Sequence, residues 1–195
     1  VLIPEQFLME FLFYMVILKI GFCGLTFTYY IRKHFHSDSW MILCFALFYA
    51  LSGFMAAYNW DVMWLDVVVL APLIVLGVER LVSEGKCYLY CITLGLSILS
   101  NYYLSIMLCI FLVLYFIVLL IARNPAAEPT SAPLAFPRLG GIKNFYVKAL
   151  LRFGVYSLLA GGMAAVLLLP TLSALHFTEF SDINFPSKMK TYFPV

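Results

Sequence analysis

The chain has 195 residues, 64% of them apolar and only 11% charged, with a mean hydropathy of +0.98. So little charge cannot cover a soluble globule, and the composition is that of an integral membrane protein. The net charge of +2 comes from a few loop residues and forms no basic stripe, which argues against nucleic acid as a partner.

The first predicted span runs over residues 5–30, long enough to cross a ~30 Å core with some tilt, and Arg32-Lys33-His34 closes it. It starts from Val1 with acidic Glu5 and Glu10 where a secretory signal would carry basic residues, so the chain reads as an excised part of a longer polypeptide. A second span is predicted over residues 39–57 and a third over 66–81, with Pro72 expected to bend the third. Between them lies Tyr58-Asn59-Trp60-Asp61-Val62-Met63-Trp64-Leu65-Asp66, where two carboxylates and two tryptophans interrupt the apolar runs. This stretch reads as a loop at the membrane surface, the depth that tryptophan favours and where a carboxylate is cheap.

From Cys87 to Ala122 the sequence is apolar throughout, and as one helix it would measure about 54 Å, too long for one crossing. A tight turn at Ser100-Asn101-Tyr102-Tyr103 therefore divides it into spans 87–99 and 104–122. The first of these is short, and either tilts little or stops beneath a water-filled cavity. Residues 123–147, rich in proline and glycine, read as a flexible loop. The sixth span covers 148–169, with a small-residue face at Ala160-Gly161-Gly162-Met163-Ala164-Ala165, and Pro170 is expected to end it before a tail over 171–195.

The expected architecture is thus an all-α integral membrane bundle of about six transmembrane helices. If the loops after spans one, three and five are cytoplasmic, that side holds Arg32, Lys33, Arg80, Lys86, Arg123, Arg138, Lys143, Lys148 and Arg152, against Lys188 and Lys190 opposite. This positive-inside bias puts the aspartate stretch, the Asn-Tyr-Tyr turn and the tail together on the outer face. The five cysteines lie in or beside apolar runs with no CxxC pair, so they read as core thiols; Cys87 and Cys91 share a helix face but lack further ligands for a metal.

Five strings, in order along the whole chain, carry a resemblance: Lys19-Ile20-Gly21-Phe22-Cys23-Gly24-Leu25-Thr26-Phe27, Ala50-Leu51-Ser52-Gly53-Phe54, Met63-Trp64-Leu65-Asp66, Leu70-Ala71-Pro72-Leu73-Ile74-Val75-Leu76-Gly77-Val78-Glu79 and Leu99-Ser100-Asn101-Tyr102-Tyr103. Together they resemble the YfhO family of bacterial multispanning membrane proteins. The resemblance implies a GT-C-like fold in the bacterial plasma membrane. It also implies a glycosyltransferase activity that moves a sugar from a polyprenyl-phosphate carrier to an envelope polymer such as lipoteichoic acid. The implied partners are the lipid-linked sugar donor, the polymer acceptor and membrane lipids; a divalent metal is left open. Family members resemble one another in an earlier span and a large acidic outer loop before the region seen here, so the leading catalytic base is expected in the missing N-terminal part and this stretch alone is expected to be inactive.

The candidate catalytic residues are Asp66 and Asp61. Asp66 either caps the third span, its carboxylate accepting from free N–H groups, or, as the resemblance suggests, floors an outward pocket and positions an acceptor hydroxyl or a metal. Asp61 reads as a solvated loop residue, about 140° from Asp66 if the stretch is helical, so the two form no obvious pair. Lys19 lies deep in the first span and about 20 Å from its basic end, too far to snorkel, so it requires a partner on another helix. That partner is either a phosphate or catalytic carboxylate, or a backbone carbonyl. Asn101, Tyr102 and Tyr103 either form the turn and its interface aromatics or line a sugar or isoprenoid site. Lys188, with Lys190, belongs to a solvated tail or supplies a cation to a lipid phosphate. A transporter or flippase of lipid-linked sugars is the rival reading. It would spread polar groups through the membrane and show inverted repeats, whereas here the polar groups are expected at one face.

Overall fold

The computed structural model describes residues 7–122 and 142–177, and there the chain is helical with no strand among the described residues. The helices are α1 (Leu8–Phe35), α2 (Met41–Ala50), α3 (Gly53–Tyr58), α4 (Val62–Ser83), α5 (Tyr88–Ser100), α6 (Tyr102–Ala122), α7 (Ile142–Met163) and α8 (Ala165–Phe177). Four stretches are long and apolar enough to cross a membrane, Met9–Phe35, Met41–Tyr58, Val62–Ser83 and Tyr102–Ala122, or up to five if α7 and α8 count as one span. This is a multi-pass membrane protein.

The count is below six because α5 has 13 residues, about 20 Å of helix, short of a full crossing. The second span is not continuous either. Leu51 and Ser52 close α2 with bonds back to Leu47 and Tyr49, and Ser52 turns extended (ψ 157°), so that α3 starts afresh at Gly53. Both prolines expected to disturb helices lie within them, Pro72 in α4 and Pro170 in α8, so Pro170 does not end its helix. Helical structure also begins at Ile142, inside the stretch read as a loop, and runs to Phe177 in the stretch read as tail. The remainder of that loop and tail lies outside the described residues.

The chain divides into a unit ending at Ala164 and a unit from Ala165, whose described part is α8. In the first unit, α4 is the central post. Its buried Ile74, Val78 and Leu81 join Tyr90 and Leu94 of α5, Leu112 and Phe116 of α6, and Ala149, Phe153 and Ala160 of α7 in one core. Phe153 stacks on Phe116 at 4.3 Å between ring centroids and on Tyr90 at 5.7 Å. Gly77 sets the closeness of α4 to α5: a Cβ there would lie 2.7 Å from the Tyr90 Cα, so any larger residue would push two backbones apart. Of the small-residue run on α7, Ala160 and Ala164 are buried and Ala160 faces Gly95 of α5, whereas Gly161 and Gly162 face open space.

A second, smaller core joins Cys23 of α1, Ala50 of α2, Met55 of α3 and Leu65 of α4. All five cysteines are free thiols. Helices α1 and α4 run parallel in a fixed register, because Lys19 meets Asp66 near the start of α4 while Tyr30 and His34 meet Glu79 near its end. With Lys19 level with the first turns of α4, the part of α1 before it reaches roughly 10 Å beyond the α4 N-terminus. Its Met9, Phe13 and Tyr14 are exposed.

Candidate functional site

The stretch that separates the second and third spans folds as the end of α3, a turn at Asn59-Trp60 and the first turns of α4. Helix α4 starts at Val62, four residues earlier than the sequence pattern indicates, because Asp61 takes the N-cap position. Asp66 is therefore no cap. It sits inside the helix, and its carboxylate points across to α1.

The partner it meets there is Lys19. The ammonium Nζ lies 2.6 Å from Asp66 Oδ1 and donates to the Val62 carbonyl at 2.9 Å. Both partners weighed for Lys19, a carboxylate and a backbone carbonyl, are thus engaged at once. The two ends of the pair differ in environment: the Lys19 side chain is 11% exposed, whereas the Asp66 side chain is 38% exposed. A buried ammonium needs its counter-charge, and an open carboxylate keeps acceptor capacity for something arriving from outside. Asp61 makes no side-chain cap bond and stands apart from this pair; it anchors the turn through its backbone, accepting from Trp64 N–H and donating to the Tyr58 carbonyl.

Aromatic rings gather at the same end of α4, on another face of the helix. Trp64, two residues before Asp66 and so about 160° from it around α4, lies 5.2 Å from Tyr58 and 6.5 Å from Phe54 between ring centroids, and 6.4 Å from Tyr103 at the start of α6. Thus the structure brings Tyr103 to the aspartate end of the bundle. Asn101 acts as the cap of α6, its Oδ1 accepting from Leu104 N–H at 3.1 Å and its carbonyl from Ser105 N–H. Tyr102 is exposed, with no ring partner among the described residues. The turn is locked from below by Ser97 and Ser105, two buried hydroxyls 2.8 Å apart. Lys188 and Lys190 lie outside the described residues.

The sequence reading missed Glu79. Its Oε1 accepts from the Tyr30 hydroxyl at 3.0 Å and from the Tyr115 hydroxyl at 2.5 Å, and its Oε2 lies 3.0 Å from His34 Nδ1. The side chain is 14% exposed. The expectation that polar groups gather at one end therefore fails, since α4 carries a carboxylate cluster at each end. A signal was present: Tyr30 and His34 stand four residues apart on one face of α1, and Glu79 falls in the last part of an apolar helix where a lone carboxylate needs donors. Among the described residues, no three His, Cys, Asp or Glu side chains converge as metal ligands would.

Residues 1–194 match the family model described as "Bacterial membrane protein YfhO". No curated protein and no solved structure matches the chain.

Proposed function

We propose, for a chain that belongs to the YfhO family of bacterial membrane proteins, a part in a GT-C-type glycosyltransferase of the bacterial plasma membrane that moves a sugar from a polyprenyl-phosphate carrier to an envelope polymer such as lipoteichoic acid. The observation that carries the reading is the half-open Lys19–Asp66 pair, at the end of α4 where the Phe54, Tyr58, Trp64 and Tyr103 rings also gather. Sugar transfer from a lipid phosphate forms a bond from an acceptor oxygen to the anomeric carbon and breaks the bond to the phosphate. It needs a base for the acceptor proton and positive charge for the departing phosphate. Asp66 is of the first kind and Lys19 of the second. The ammonium also holds the carboxylate in place, and aromatic faces suit the apolar side of a sugar ring or an isoprenoid chain. Asp61 is the second candidate base, and Lys188 a second cation for the phosphate.

The basic loops after α1 and α4 fit a cytoplasmic assignment for the Glu79 end, which would put the Asp66 end outside. Flipping of a lipid-linked sugar is the second reading, favoured by the polar cluster at Glu79, a full helix length from Asp66.

The test is Asp66→Asn in the protein within its host membrane, with membrane abundance and polymer glycosylation measured together. A loss of roughly a hundredfold or more in glycosylation per molecule is expected, equivalent to ~3 kcal/mol of transition-state stabilisation. Unchanged transfer per molecule removes Asp66 from the catalytic list. Loss of carrier-lipid translocation in vesicles, with transfer intact on externally supplied donor, would favour the flippase.

A further inference from the structure

At the opposite end of the bundle from Asp66, the last turns of α1, α4 and α6 surround an open cavity of about 550 Å³. Its lining mixes two chemistries. Lys33 and His36 from the end of α1 and Arg80 from α4 are basic or polar; Leu119 and Ala122 of α6 are apolar, over the buried Leu76 of α4.

Two carboxylates also line this cavity, and both are engaged. Glu79 accepts from Tyr30 and Tyr115 and meets His34, with most of its side chain covered. Glu84 is paired with Lys86 at 2.9 Å. Lys33 and Arg80 form no close ion pair among the described residues: Arg80 acts on Glu84 only through space, and Lys33 lies 5.9 Å over the Tyr29 ring. Three helix C-termini meet here, and their carbonyl ends by themselves repel an anion, but that field fades within the last turn.

From this we infer that the cavity seats the phosphate-bearing headgroup of an anionic phospholipid, with Lys33 and Arg80 on the phosphate and an acyl chain along the apolar surface of Leu119 and Ala122. A soluble anion has no use for the apolar lining, whereas a lipid needs both chemistries, and basic pockets between membrane helices are suited to such headgroups. The exposed Val118 and Ile121 continue the apolar surface along α6, giving the chain somewhere to lie. This site is separate from the Lys19–Asp66 pair and does not depend on the reading of that pair.

The experiment uses the purified protein in a neutral detergent, titrated with short-chain phosphatidylglycerol, phosphatidylcholine or inorganic phosphate, with bound lipid counted by native mass spectrometry. Phosphatidylglycerol should bind well ahead of phosphatidylcholine. Lys33→Gln/Arg80→Gln should weaken phosphatidylglycerol binding roughly tenfold or more, whereas Lys148→Gln, at an exposed position on α7, should leave it unchanged. Should the double variant not fold, Lys33→Gln alone, at an exposed position, should still weaken binding roughly threefold. Equal binding of the two lipids overturns the proposal, as does wild-type affinity in a folded double variant or in Lys33→Gln. Displacement of phosphatidylglycerol by an equal concentration of inorganic phosphate would assign the cavity to a soluble anion and overturn the lipid.

Discussion

Helix α4 carries two carboxylates that face α1, Asp66 near its start and Glu79 near its end, about 20 Å apart along the axis. Glu79 is met by three donors from two helices and is mostly covered; Asp66 is met by one ammonium and stays 38% exposed. The difference separates two uses of the same chemistry. A carboxylate whose acceptor sites are filled by its own protein holds helices together, and one left partly unfilled can take a ligand or a proton. On this view Glu79 is the clamp that sets the register of α1, α4 and α6, and Asp66 is the working group that the register positions.

The sharpest way to break this comparison is Glu79→Ala. It strands the part-buried Tyr30 and Tyr115 hydroxyls, each having lost its acceptor, and leaves the more exposed His34 ring to water. Unmade bonds to a buried charge are costly, and the expected loss is about 3 kcal/mol or more of stability. Thermal unfolding in detergent, followed by tryptophan fluorescence, reads it directly. A variant as stable as the parent would mean that Glu79 clamps nothing and that the contrast with Asp66 is only one of exposure.

The Lys19–Asp66 pair should respond less, and unevenly. Asp66→Asn leaves a buried ammonium with neutral acceptors and no counter-charge, at a cost of about 1 to 2 kcal/mol, discounted for the exposure of the lost carboxylate. Lys19→Met frees a carboxylate that water already reaches, and should cost well under that. Combining the two should return much of the stability lost in Asp66→Asn, because no unpaired charge remains, while polymer glycosylation stays low. Melting temperatures of the three variants beside the parent supply the cycle. If both single changes cost the same, the pair is equally buried at its two ends and the case for an open Asp66 is lost.

The sequence announced the helices through unbroken apolar runs, and it announced that Lys19 needed a partner, because an ammonium deep in such a run has no cheap alternative. It did not reveal the partner's identity. That depends on α1 and α4 lying parallel, and parallel packing follows from the return of the chain through α2 and α3, not from any local pattern. Of the two readings open for Asp66, the cap fails for a related reason: apolarity begins in earnest at Val67, but hydrogen bonding begins at Val62, and only Asp61 has the non-helical backbone of a cap. The break at Ser52-Gly53 was legible in the residues themselves, yet the apolar run around it hid it. Glu79 escaped notice because Arg80 follows it, so the two read as the hydrophilic end of a span, whereas the helix continues to Ser83 and folds the carboxylate inward.

Glu84 offers the smallest expected effect and a baseline for the other two carboxylates. It follows the last residue of α4 and lies beyond the apolar part of the helix, and the hydrogen bond from Lys86 is the main reason its carboxyl is held below the ordinary 4.5. A carboxylate with a depressed folded pKa adds stability above its unfolded pKa and loses it as the pH falls through the folded value. The contribution should therefore be constant near neutrality, start to fall as the pH reaches the ordinary carboxylate range and be gone once the pH has passed through the lower folded value, within the acid limb of the unfolding profile. Because the pair is surface-exposed, Lys86→Gln should change stability by only a few tenths of a kcal/mol at pH 7 and by nothing measurable once Glu84 is protonated. Melting temperatures of Lys86→Gln and parent, compared from neutral pH down to acid, check both parts. A gap of several degrees at neutral pH would show that even an exposed pair holds this end of α4. The large effect of Glu79→Ala could then no longer be credited to burial and three donors alone.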